Sequence, residues 1–493
     1  MPTVRGRIAI VLLLAAMPTL AVAATRPTLL GTHRADVLLG GAGPDRVDAR
    51  GGNDRIAIEY DAGPDTVACG AGRDVVTADL GDRVGGDCEV VGRRIHRDLH
   101  VDPDSQHESE VEPDSLTVGA TTVSVFQVGR RRTGGSASIG FATSRDNGRT
   151  WRQGLLPGLT AATKPPGPAA RASDPVIAYD AAHGVWLANA LALAPGLTKL
   201  TIHRSGNAVT WGAPIDAAVA TSENLAYDKN WLTCDNGQAS PFRGRCYLAY
   251  TLLGRDDALA VQRSDDGGRT WSAASLLQLP VTGVIPVVQP DGKLVLTFWS
   301  GRSGMVSVVS TDGGVTLDGP VPISTLSQRD TRPFRAPPLI TAELERGGGV
   351  LTAWQDCRFR PQCDGNDLVV SRSADGRAWS TPVRITTGRN VAIPTIGIEP
   401  GTGRLAIAYY VVQRNGIDAE LVTSRDGRRW TAPQRLNARR MPLEWMPPTT
   451  PLGRMLADYI GVSWVRGRPL VILALASPPR GGKLAQAIYA VRG

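Results

Sequence analysis

The chain has 493 residues, a formal charge of +8 at neutral pH and 20% charged residues. Its 56 glycines and 35 prolines favour a turn-rich all-β protein. The basic residues are mostly arginines scattered along the chain without a basic run, which argues against a nucleic-acid partner, and no segment reaches the roughly 18 uninterrupted apolar residues of a membrane span.

Residues 1–24 are organised like an export signal. Arg5 and Arg7 precede the apolar run 8–16, and residues 21–23, Ala-Val-Ala, form a small-residue cleavage site. The run is too short to span a bilayer. We therefore expect this segment to be removed, leaving a monomeric protein that is secreted or associated with the cell wall.

The six cysteines of an exported chain are expected to form disulfides. Each cysteine has one partner close in sequence, so local closure is the simplest pairing. Their spacings lack the paired Cys-x2-Cys pattern of zinc sites. The expected disulfides are Cys69–Cys88, Cys234–Cys246 and Cys357–Cys363.

Residues 31 to about 90 contain a short-period repeat marked by aspartates. The aspartates Asp36, Asp45, Asp54, Asp65, Asp74 and Asp82 are separated by 9, 9, 11, 9 and 8 residues. The best copy, residues 40–48, reads GGAGPDRVD and fits the nonapeptide G-G-x-G-x-D-x-U-x, where U is apolar. This region resembles the haemolysin-type, repeats-in-toxin calcium module.

The resemblance implies a parallel β-roll in which glycine-rich turns and Asp carboxylates offer the all-oxygen shell that Ca²⁺ prefers. The expected calcium ligands are Asp45, Asp54, Asp74, Gly41, Gly43 and Gly52. The alternative is a roll capped by its Asp side chains and closed by Cys69–Cys88, which holds itself together without metal. Pro44 and Pro64, each directly before an Asp, and the 11-residue step depart from the calcium-binding pattern, but calcium binding remains the expectation and the metal-free roll the alternative.

Residues 93–111 are polar, mixed in charge and without apolar periodicity, which is typical of a linker. The linker contains His96, His100 and His107 at irregular spacing, and we expect these side chains to be solvated rather than bound to a metal.

The stretch 144–151, SRDNGRTW, recurs through the rest of the chain. Further copies begin at Ser205, Ser264, Ser310, Ser373 and Ser424, so that successive first serines lie 61, 59, 46, 63 and 51 residues apart. Each copy separates two β-rich runs. The pattern predicts a tight turn in which Ser and Asp bond turn amides, Gly supplies positive φ and Trp packs underneath. We expect these turns to be structural rather than catalytic.

The repeat resembles the Asp box, or BNR repeat, of sialidase-like β-propellers, which implies that each copy links the third and fourth strands of a four-stranded blade. Chance Asp-Gly turns in a β-sandwich are the alternative, but a sandwich has no reason to repeat Ser, Asp, Gly and Trp together. Local strings such as FQVGR (126–130) and ADYIG (457–461) are similar to those of secreted bacterial sialidase-like proteins.

We therefore predict an all-β fold. A sialidase-type β-propeller of six or seven blades would cover residues 112–493, and the β-roll would cover residues 25–92. A seventh set of strands, 459–465, 470–476 and 485–491, has only three members. We expect residues 95–101 of the linker to supply the fourth strand and to close the ring.

If the protein is an exo-alpha-sialidase, the resemblance implies three arginines for the substrate carboxylate, a Tyr nucleophile activated by Glu, and an Asp acid. The Arg-Ile-Pro motif that carries the family's first arginine is absent, and residues 112–114, Glu-Pro-Asp, stand in its place. The candidate catalytic residues are Tyr459, Asp458 and Asp228.

The candidate substrate-binding residues are the possible clamp Arg332, Arg335 and Arg358, together with Lys229, Asp174 and Glu112. Most of these lie where inner strands would enter the central channel. As an alternative, Asp174 and Asp228 bond amides between neighbouring blades. Two functions remain open: a glycosidase that acts on terminal sugars of extracellular glycans or cell-surface glycoconjugates, and a non-catalytic propeller that binds glycan or protein.

Overall fold

The computed structural model describes residues 28–61, 63–221, 226–254, 257–301 and 303–493. The expected export signal, residues 1–24, lies outside them. The predicted all-β class is confirmed, since the helical elements of the described chain are two single-turn 3₁₀ helices, Pro361–Cys363 and Leu443–Trp445. No helix among the described residues is long and apolar enough to cross a membrane.

The N-terminal segment is a parallel β-solenoid. Its strands are β1 (Leu29–Leu30), β2 (Val37–Leu39), β3 (Arg46–Asp48), β4 (Arg55–Ile58), β5 (Thr66–Ala68), β6 (Val75–Ala78), β7 (Arg83–Val84) and β8 (Val90–Arg94). Odd-numbered strands form one parallel sheet, and even-numbered strands belong to another. Consecutive strands therefore alternate between the two sheets, so that each coil contributes one strand to each, and Val47, Ile56 and Val67 are buried between the sheets.

The chain then forms six consecutive antiparallel units of four strands. The first three are β9 (Glu110–Val118), β10 (Thr121–Arg130), β11 (Ser136–Ser144) and β12 (Arg152–Leu155); β13 (Arg171–Asp180), β14 (Val185–Ala194), β15 (Leu197–Ser205) and β16 (Ile215–Ala220); and β17 (Ala226–Cys234), β18 (Cys246–Leu253), β19 (Ala258–Ser264) and β20 (Ser275–Gln278). The next three are β21 (Thr282–Val288), β22 (Leu294–Ser300), β23 (Gly304–Ser310) and β24 (Asp318–Ser324); β25 (Thr341–Leu344), β26 (Val350–Asp356), β27 (Asp367–Ser373) and β28 (Val383–Arg384); and β29 (Val391–Ile398), β30 (Leu405–Gln413), β31 (Gly416–Ser424) and β32 (Gln434–Arg435).

A seventh unit closes the chain after a short hairpin. The hairpin is β33 (Pro448–Thr449) and β34 (Gly453–Arg454), and the unit contains β35 (Gly461–Val465), β36 (Arg468–Ala476) and β37 (Gln486–Arg492). Its fourth strand is β8, which pairs antiparallel with β37 and parallel with β6. The expected closing strand at residues 95–101 does not form. The fourth strand, β8, begins five residues before the expected position. One edge of β8 pairs with β6, and its other edge is free to pair with β37.

Side chains strengthen this junction between the solenoid and the seventh unit. The buried Glu59 accepts hydrogen bonds from Ser477 at 2.7 Å and from Thr77 at 2.9 Å. Arg94 lies over the ring of Tyr60 and pairs with Asp79 at 2.7 Å. The solenoid and the seventh unit therefore share one continuous sheet and one set of buried polar contacts.

The first strands of the seven units lie side by side around a common axis. Each of β9, β13, β17, β21, β25, β29 and β35 contacts the next, and β35 contacts β9. The contacts therefore close a ring. Apolar clusters fill the space between neighbouring units, for example Val123, Ile139, Ile177 and Trp186 between the first and the second.

All six copies of the recurring stretch form turns between the third and fourth strands of a unit. In the first, Ser144 Oγ donates to Asp146 Oδ1 at 2.9 Å, and the same oxygen accepts the amides of Arg149 and Thr150 at 3.0 and 2.9 Å. Trp151 is buried beneath the turn. In the copy with Asn in the Asp position, Asn207 Oδ1 accepts two turn amides in the same way.

The three predicted disulfides are confirmed. Cys69 is bonded to Cys88, Cys234 to Cys246 and Cys357 to Cys363. The second of these joins directly opposed positions on β17 and β18.

The expectation that the linker histidines are solvated is wrong. His96 is only 6% exposed, packs against Phe126 with ring centroids 4.9 Å apart, and contacts the buried Glu110 at 2.5 Å. His100 Nε2 lies 2.6 Å from Ser138 Oγ, and His107 Nδ1 lies 3.0 Å from the His100 carbonyl. The segment that follows β8 packs on the first unit, so all three histidines have partners within the protein.

Candidate functional site

Five of the seven first strands carry a β-bulge near their starts. The residue at each bulge has positive φ: Glu112 (53°), Asp174 (47°), Lys229 (51°), Gly283 (69°) and Ile393 (53°). At each of these points the pairing with the second strand shifts register. Left-handed backbone at a non-glycine residue is strained, and bulges commonly re-aim side chains at functional sites. The repeated bulges mark this end of the ring, which we call the channel mouth, as the candidate site.

Asp458 is the centre of a buried ionic network at the channel mouth. Its Oδ1 accepts the Nε–H of Arg335 at 2.7 Å, and its Oδ2 contacts both the Arg335 guanidinium and the Lys229 ammonium. Burial alone would raise the pKa of Asp458, but Lys229 and Arg335 hold it well below its usual range. The chain's own carboxylate therefore pairs with two of the cations at this position.

The loop that carries Arg335 is held in place by backbone pairing. The Arg335 amide donates to the Arg454 carbonyl of β34 at 2.8 Å, and Phe334 is fully buried. Asp458 follows this hairpin in the chain. The hairpin therefore positions both partners of the ion pair.

A second set of contacts joins the first two units at the channel mouth. Buried Gln127 donates to the Glu112 carboxyl group and to Ser173 Oγ, the latter at 3.1 Å, while its Oε1 accepts from Arg130 at 2.7 Å. Burial and then the charge of Asp458 raise the pKa of Glu112 to about 8, so this group is largely protonated at neutral pH. Burial lowers the pKa of Arg130.

Asp174 bonds an amide of the neighbouring unit, which was the expected alternative to a role in substrate binding. Its Oδ2 accepts the backbone N–H of Lys229 at 3.0 Å, and its Oδ1 accepts from Ser173 Oγ at 2.9 Å. Asp228, half-buried beside it, has its pKa raised to about 6, first by burial. The structure thus brings Glu112, Asp174, Lys229, Arg335 and Asp458 together at one place.

Tyr459 lies beside this cluster with its hydroxyl already engaged. The hydroxyl donates to the Pro175 carbonyl at 3.0 Å, and the ring meets Trp231 edge to face with centroids 5.2 Å apart. Burial, followed by the charge of Glu112, raises the pKa of Tyr459 well above its usual value. Its single proton is therefore held by a backbone carbonyl rather than by a carboxylate base.

The two other arginines of the expected clamp have separate partners. Arg332 is 75% exposed in its side chain and pairs with Asp330 at 2.5 Å. Arg358 pairs with the buried Asp356 at 2.6 Å and contacts the Thr325 carbonyl. Of the three, only Arg335 contacts the Asp458 network.

The channel narrows at the charged cluster and widens beyond it. The space beside Asp458, Lys229 and Tyr459 measures about 40 Å³. Further along the first strands, a cavity of about 410 Å³ is lined by residues from all seven units, Trp231 and Asp114 among them. Asp114 accepts the Ile177 amide at 2.9 Å, and burial raises its pKa to about 6.

Sequence reasoning missed Gln127 and Arg130, although it singled out the string 126–130 that contains them. These residues lie on the second strand rather than at the start of a first strand. Only the shifted register between β9 and β10 brings them to Glu112.

In the solenoid, acidic side chains bond the amides of the neighbouring coil in two ladders. In one, Asp54 Oδ1 accepts the Asp36 amide at 2.8 Å, Asp74 Oδ1 accepts the Asp54 amide at 2.7 Å and Glu89 accepts the Asp74 amide at 2.8 Å. In the other, Asp65 accepts the Asp45 amide at 2.6 Å and Asp82 accepts the Asp65 amide at 3.0 Å. These bonds are the self-capping arrangement that was the alternative to calcium.

The expected calcium ligands are divided between these ladders, because Asp45 belongs to one and Asp54 and Asp74 to the other. Of the expected glycines, the Gly41 amide donates to Asp45 at 2.5 Å, the Gly52 amide donates to the Ala71 carbonyl, and Gly43 has φ of 83°. The structure instead groups Asp45 with Asp61 and Asp65, whose ligand oxygens all lie within 4.8 Å of one another. Asp61 could have been found from residues 61–65, DAGPD, which repeat 41–45, GAGPD, one coil later.

No family model and no curated protein matches the sequence. Among solved structures, a Hadza microbial sialidase aligns at 18% identity with a TM-score of 0.47, over 65% of this chain and 66% of that one. Trypanosoma rangeli sialidase in complex with sialic acid aligns at 13% identity and 0.44, over 65% and 55%. A Dyadobacter fermentans protein of unknown function aligns at 14% and 0.43, over 67% and 98%. The chain thus spans less than two thirds of the length of either sialidase.

Proposed function

We propose that the ring is a seven-bladed β-propeller and that the protein binds extracellular glycans at the channel mouth without hydrolysing them. The observation that carries this proposal is the engagement of Lys229 and Arg335 by Asp458. A sialidase needs cations free to receive the carboxylate of its substrate. Here an internal carboxylate takes that role, so neither of these two cations is free to receive the carboxylate of a substrate.

The state of Tyr459 also favours binding over hydrolysis. A nucleophilic phenol must lose its proton to a nearby base during attack. The Tyr459 proton is donated to the Pro175 carbonyl, and burial raises the pKa of the group. A neutral, backbone-bonded phenol is suited to holding Trp231 in place and to lining a sugar site with apolar ring surface.

The resemblance of the turn repeats to Asp boxes implies a sugar as ligand. The polar lining fits such a ligand, because glycan hydroxyls both donate and accept hydrogen bonds and can match the carboxylate of Asp174 and the side-chain amide of Asn230. Three disulfides support an extracellular location, where glycans are abundant.

Two assays on the same protein test this proposal. A fluorogenic sialoside should release no fluorophore, and an array of immobilised neutral and sialylated oligosaccharides should bind the protein. Arg335→Gln should weaken array binding, whereas Arg332→Gln, which removes an exposed arginine from the same loop, should not. Because Arg335 is part of a buried pair, thermal unfolding of each variant checks that loss of binding is not loss of fold. Turnover of the sialoside that disappears in Tyr459→Phe would show instead that the protein is a sialidase.

We further propose that the solenoid binds one Ca²⁺ through Asp45, Asp61 and Asp65. Their oxygens are close enough to share an ion, and Oδ2 of the buried Asp65 has no hydrogen-bond partner among the described residues. Burial, and then repulsion from Asp61 and other acids, raises the pKa of Asp65 to about 7. A hard cation with oxygen ligands would relieve this repulsion, which suits Ca²⁺.

The raised pKa of Asp65 gives the calcium test a pH signature. A carboxyl group with a raised pKa destabilises the folded solenoid progressively as pH rises from about 4 to about 7. Calcium should therefore raise the thermal midpoint most above pH 7 and least near pH 5. Asp61→Asn should remove the calcium effect, and Asp104→Asn, at a side chain 74% exposed in the linker, should keep it. Identical melting in calcium and in chelator at pH 7 and above would leave the self-capped solenoid as the correct description.

A further inference from the structure

An open cleft lies between the sixth and seventh units at the outer edge of the ring, on the side of the recurring turns. Its volume is about 560 Å³, within the usual range of ligand sites. The turn of the sixth unit supplies Arg425, Arg429 and the half-buried Trp430, while the seventh unit supplies Trp464 and Arg468. This cleft is separate from the channel mouth, which lies at the starts of the first strands.

A second hollow of about 200 Å³ continues the cleft toward the first unit. It shares Arg468 with the cleft and adds Arg149, Arg466 and Arg492. Seven arginines line the two hollows, and one of them, Arg404, is paired with Glu399. We call the other six the arginine face: Arg149, Arg425, Arg429, Arg466, Arg468 and Arg492. The recurring turns of units one and six, the tight hairpin turn between β35 and β36, and the end of β37 bring them together.

The acids nearest to the arginine face are already engaged. Asp146 and Asp426 accept the amides of their own turns, for example Arg149 N at 3.0 Å and Arg428 N at 2.8 Å. Glu399 pairs with Arg404 at 2.6 Å. Within the described residues, no carboxylate lies within ion-pair distance of any of the six arginines, so none of these side chains is held by an ion pair, and the Asp carboxylates of the turns offset only part of the positive charge.

Arg492 shows the effect of this crowding. One of its terminal nitrogens is buried without a hydrogen-bond partner among the described residues. Burial, followed by the charge of Arg149 and other arginines, lowers its pKa. An anion placed between these guanidinium groups would supply both the missing acceptor and the missing charge.

We propose that the arginine face binds an anionic polysaccharide, with its sulfate or carboxylate groups held by the arginines. Guanidinium forks match such groups with two parallel hydrogen bonds. The two connected hollows cross three units, which suits a linear chain better than a single small anion. Trp430 adds apolar surface against which a sugar ring can pack. The three disulfides indicate an oxidising, extracellular setting, so the expected ligands are polyanionic polysaccharides found outside cells.

The proposal is tested with dextran sulfate, polygalacturonate and uncharged dextran as probes, over a series of salt concentrations. The protein should bind one or both polyanions and not dextran, and the tighter polyanion identifies sulfate or carboxylate as the preferred group. Arg425→Gln combined with Arg468→Gln should weaken binding by about tenfold. The slope of log affinity against log salt should fall by about two, one for each lost contact.

A matched control removes the same charge elsewhere. Arg414→Gln with Arg243→Gln changes two exposed arginines that have no ion pair among the described residues. Arg414 precedes β31 and Arg425 follows it, so the nine-residue strand separates them by roughly 30 Å. This control should bind dextran sulfate like the unmodified protein, and thermal melting confirms that each variant is folded.

Three results would overturn the proposal. The first is equal loss of affinity in the control and in the Arg425/Arg468 variant, because general charge would then explain binding. The second is binding of duplex DNA as tightly as of the polysaccharides, because the face would then not select sugars. The third is loss of dextran sulfate binding in Arg335→Gln, because the polyanion would then occupy the channel mouth. A failure of glycan binding at the mouth leaves this proposal unaffected.

Discussion

Replacement of Asp266 measures what one recurring turn contributes to stability. Its carboxylate accepts from Ser264 Oγ (2.8 Å), the amides of Arg269 and Thr270 (2.8 and 3.0 Å) and Thr270 Oγ1 (2.6 Å). Burial alone would raise the pKa of Asp266, but these bonds lower it to about 2. A drop from the ordinary 3.8 corresponds to roughly 2 kcal/mol, which solvent screening at this partly exposed group reduces to about 1 kcal/mol.

Asp266→Ala should therefore destabilise the protein by about 1 to 2 kcal/mol, the upper value including turn donors left without an acceptor. Asp266→Asn should recover most of this loss, because the repeat at Asn207 already uses an amide oxygen, which accepts from Val209 and Thr210 at 2.9 and 2.7 Å. Asn lacks the negative charge of the Asp266 carboxylate, so part of the loss should remain in this variant.

The assay is guanidinium unfolding of the three proteins at pH 7 and at acid pH. A carboxyl group with a lowered pKa stabilises the folded state above about pH 4 and loses that contribution as pH falls toward 2. The advantage of the unmodified protein over Asp266→Asn should therefore shrink on acidification. An Asn variant as unstable as the Ala variant at pH 7, or an Ala variant without effect, would refute the assigned turn bonds.

Two further predictions follow from buried groups. Glu112→Gln mimics the protonated acid. The pKa of Glu112 is raised from 4.5 to about 8, so the native residue destabilises the fold increasingly from about pH 4.5 to pH 8. The variant should melt like the unmodified protein near pH 5 and at a higher temperature near pH 9, and an equal loss at every pH would contradict this. Replacing both Cys234 and Cys246 by Ser should cost about 3 kcal/mol, because the disulfide closes a loop across 12 residues of sequence. Denaturant unfolding measures this loss, and an unchanged midpoint would show that the paired strands hold the loop closed without the bond.

Features with local causes were predictable from the sequence. The recurring turns and the disulfides depend on residues fewer than 20 positions apart, so spacing and residue type were enough. The strand that completes the seventh unit was misplaced, because its choice depends on which edge of the solenoid remains free. That information lies in the pairing of β8 with both β6 and β37, which no local pattern reports.

The sequence predicted which residues meet at the candidate site, but it did not predict how they pair with one another. The sequence predicted that the starts of the inner strands meet at one end of a channel, with Lys229, Arg335 and Asp458 among their residues. The structure brings these three side chains into contact. The sequence could not show that Asp458 pairs with both cations, since this depends on the hairpin that holds Arg335 against Arg454. A substitution of Arg335 therefore affects stability as well as binding, because it removes one partner of a buried pair.

Burial explains why the channel mouth and the arginine face would select different ligands. A charge removed from water must be paired within the protein, so the buried Asp458 at the mouth pairs with Lys229 and Arg335 and leaves neither cation free for a ligand. On the outer edge the recurring turns use Ser and Asp side chains and backbone amides, which leaves arginine side chains such as Arg425 exposed and unpaired among the described residues. Such exposure costs little in water. Repeated units can therefore keep the same backbone turn while they differ in the side chains that the turn displays. We expect the channel mouth to select hydroxyl-rich groups and the arginine face to select anions.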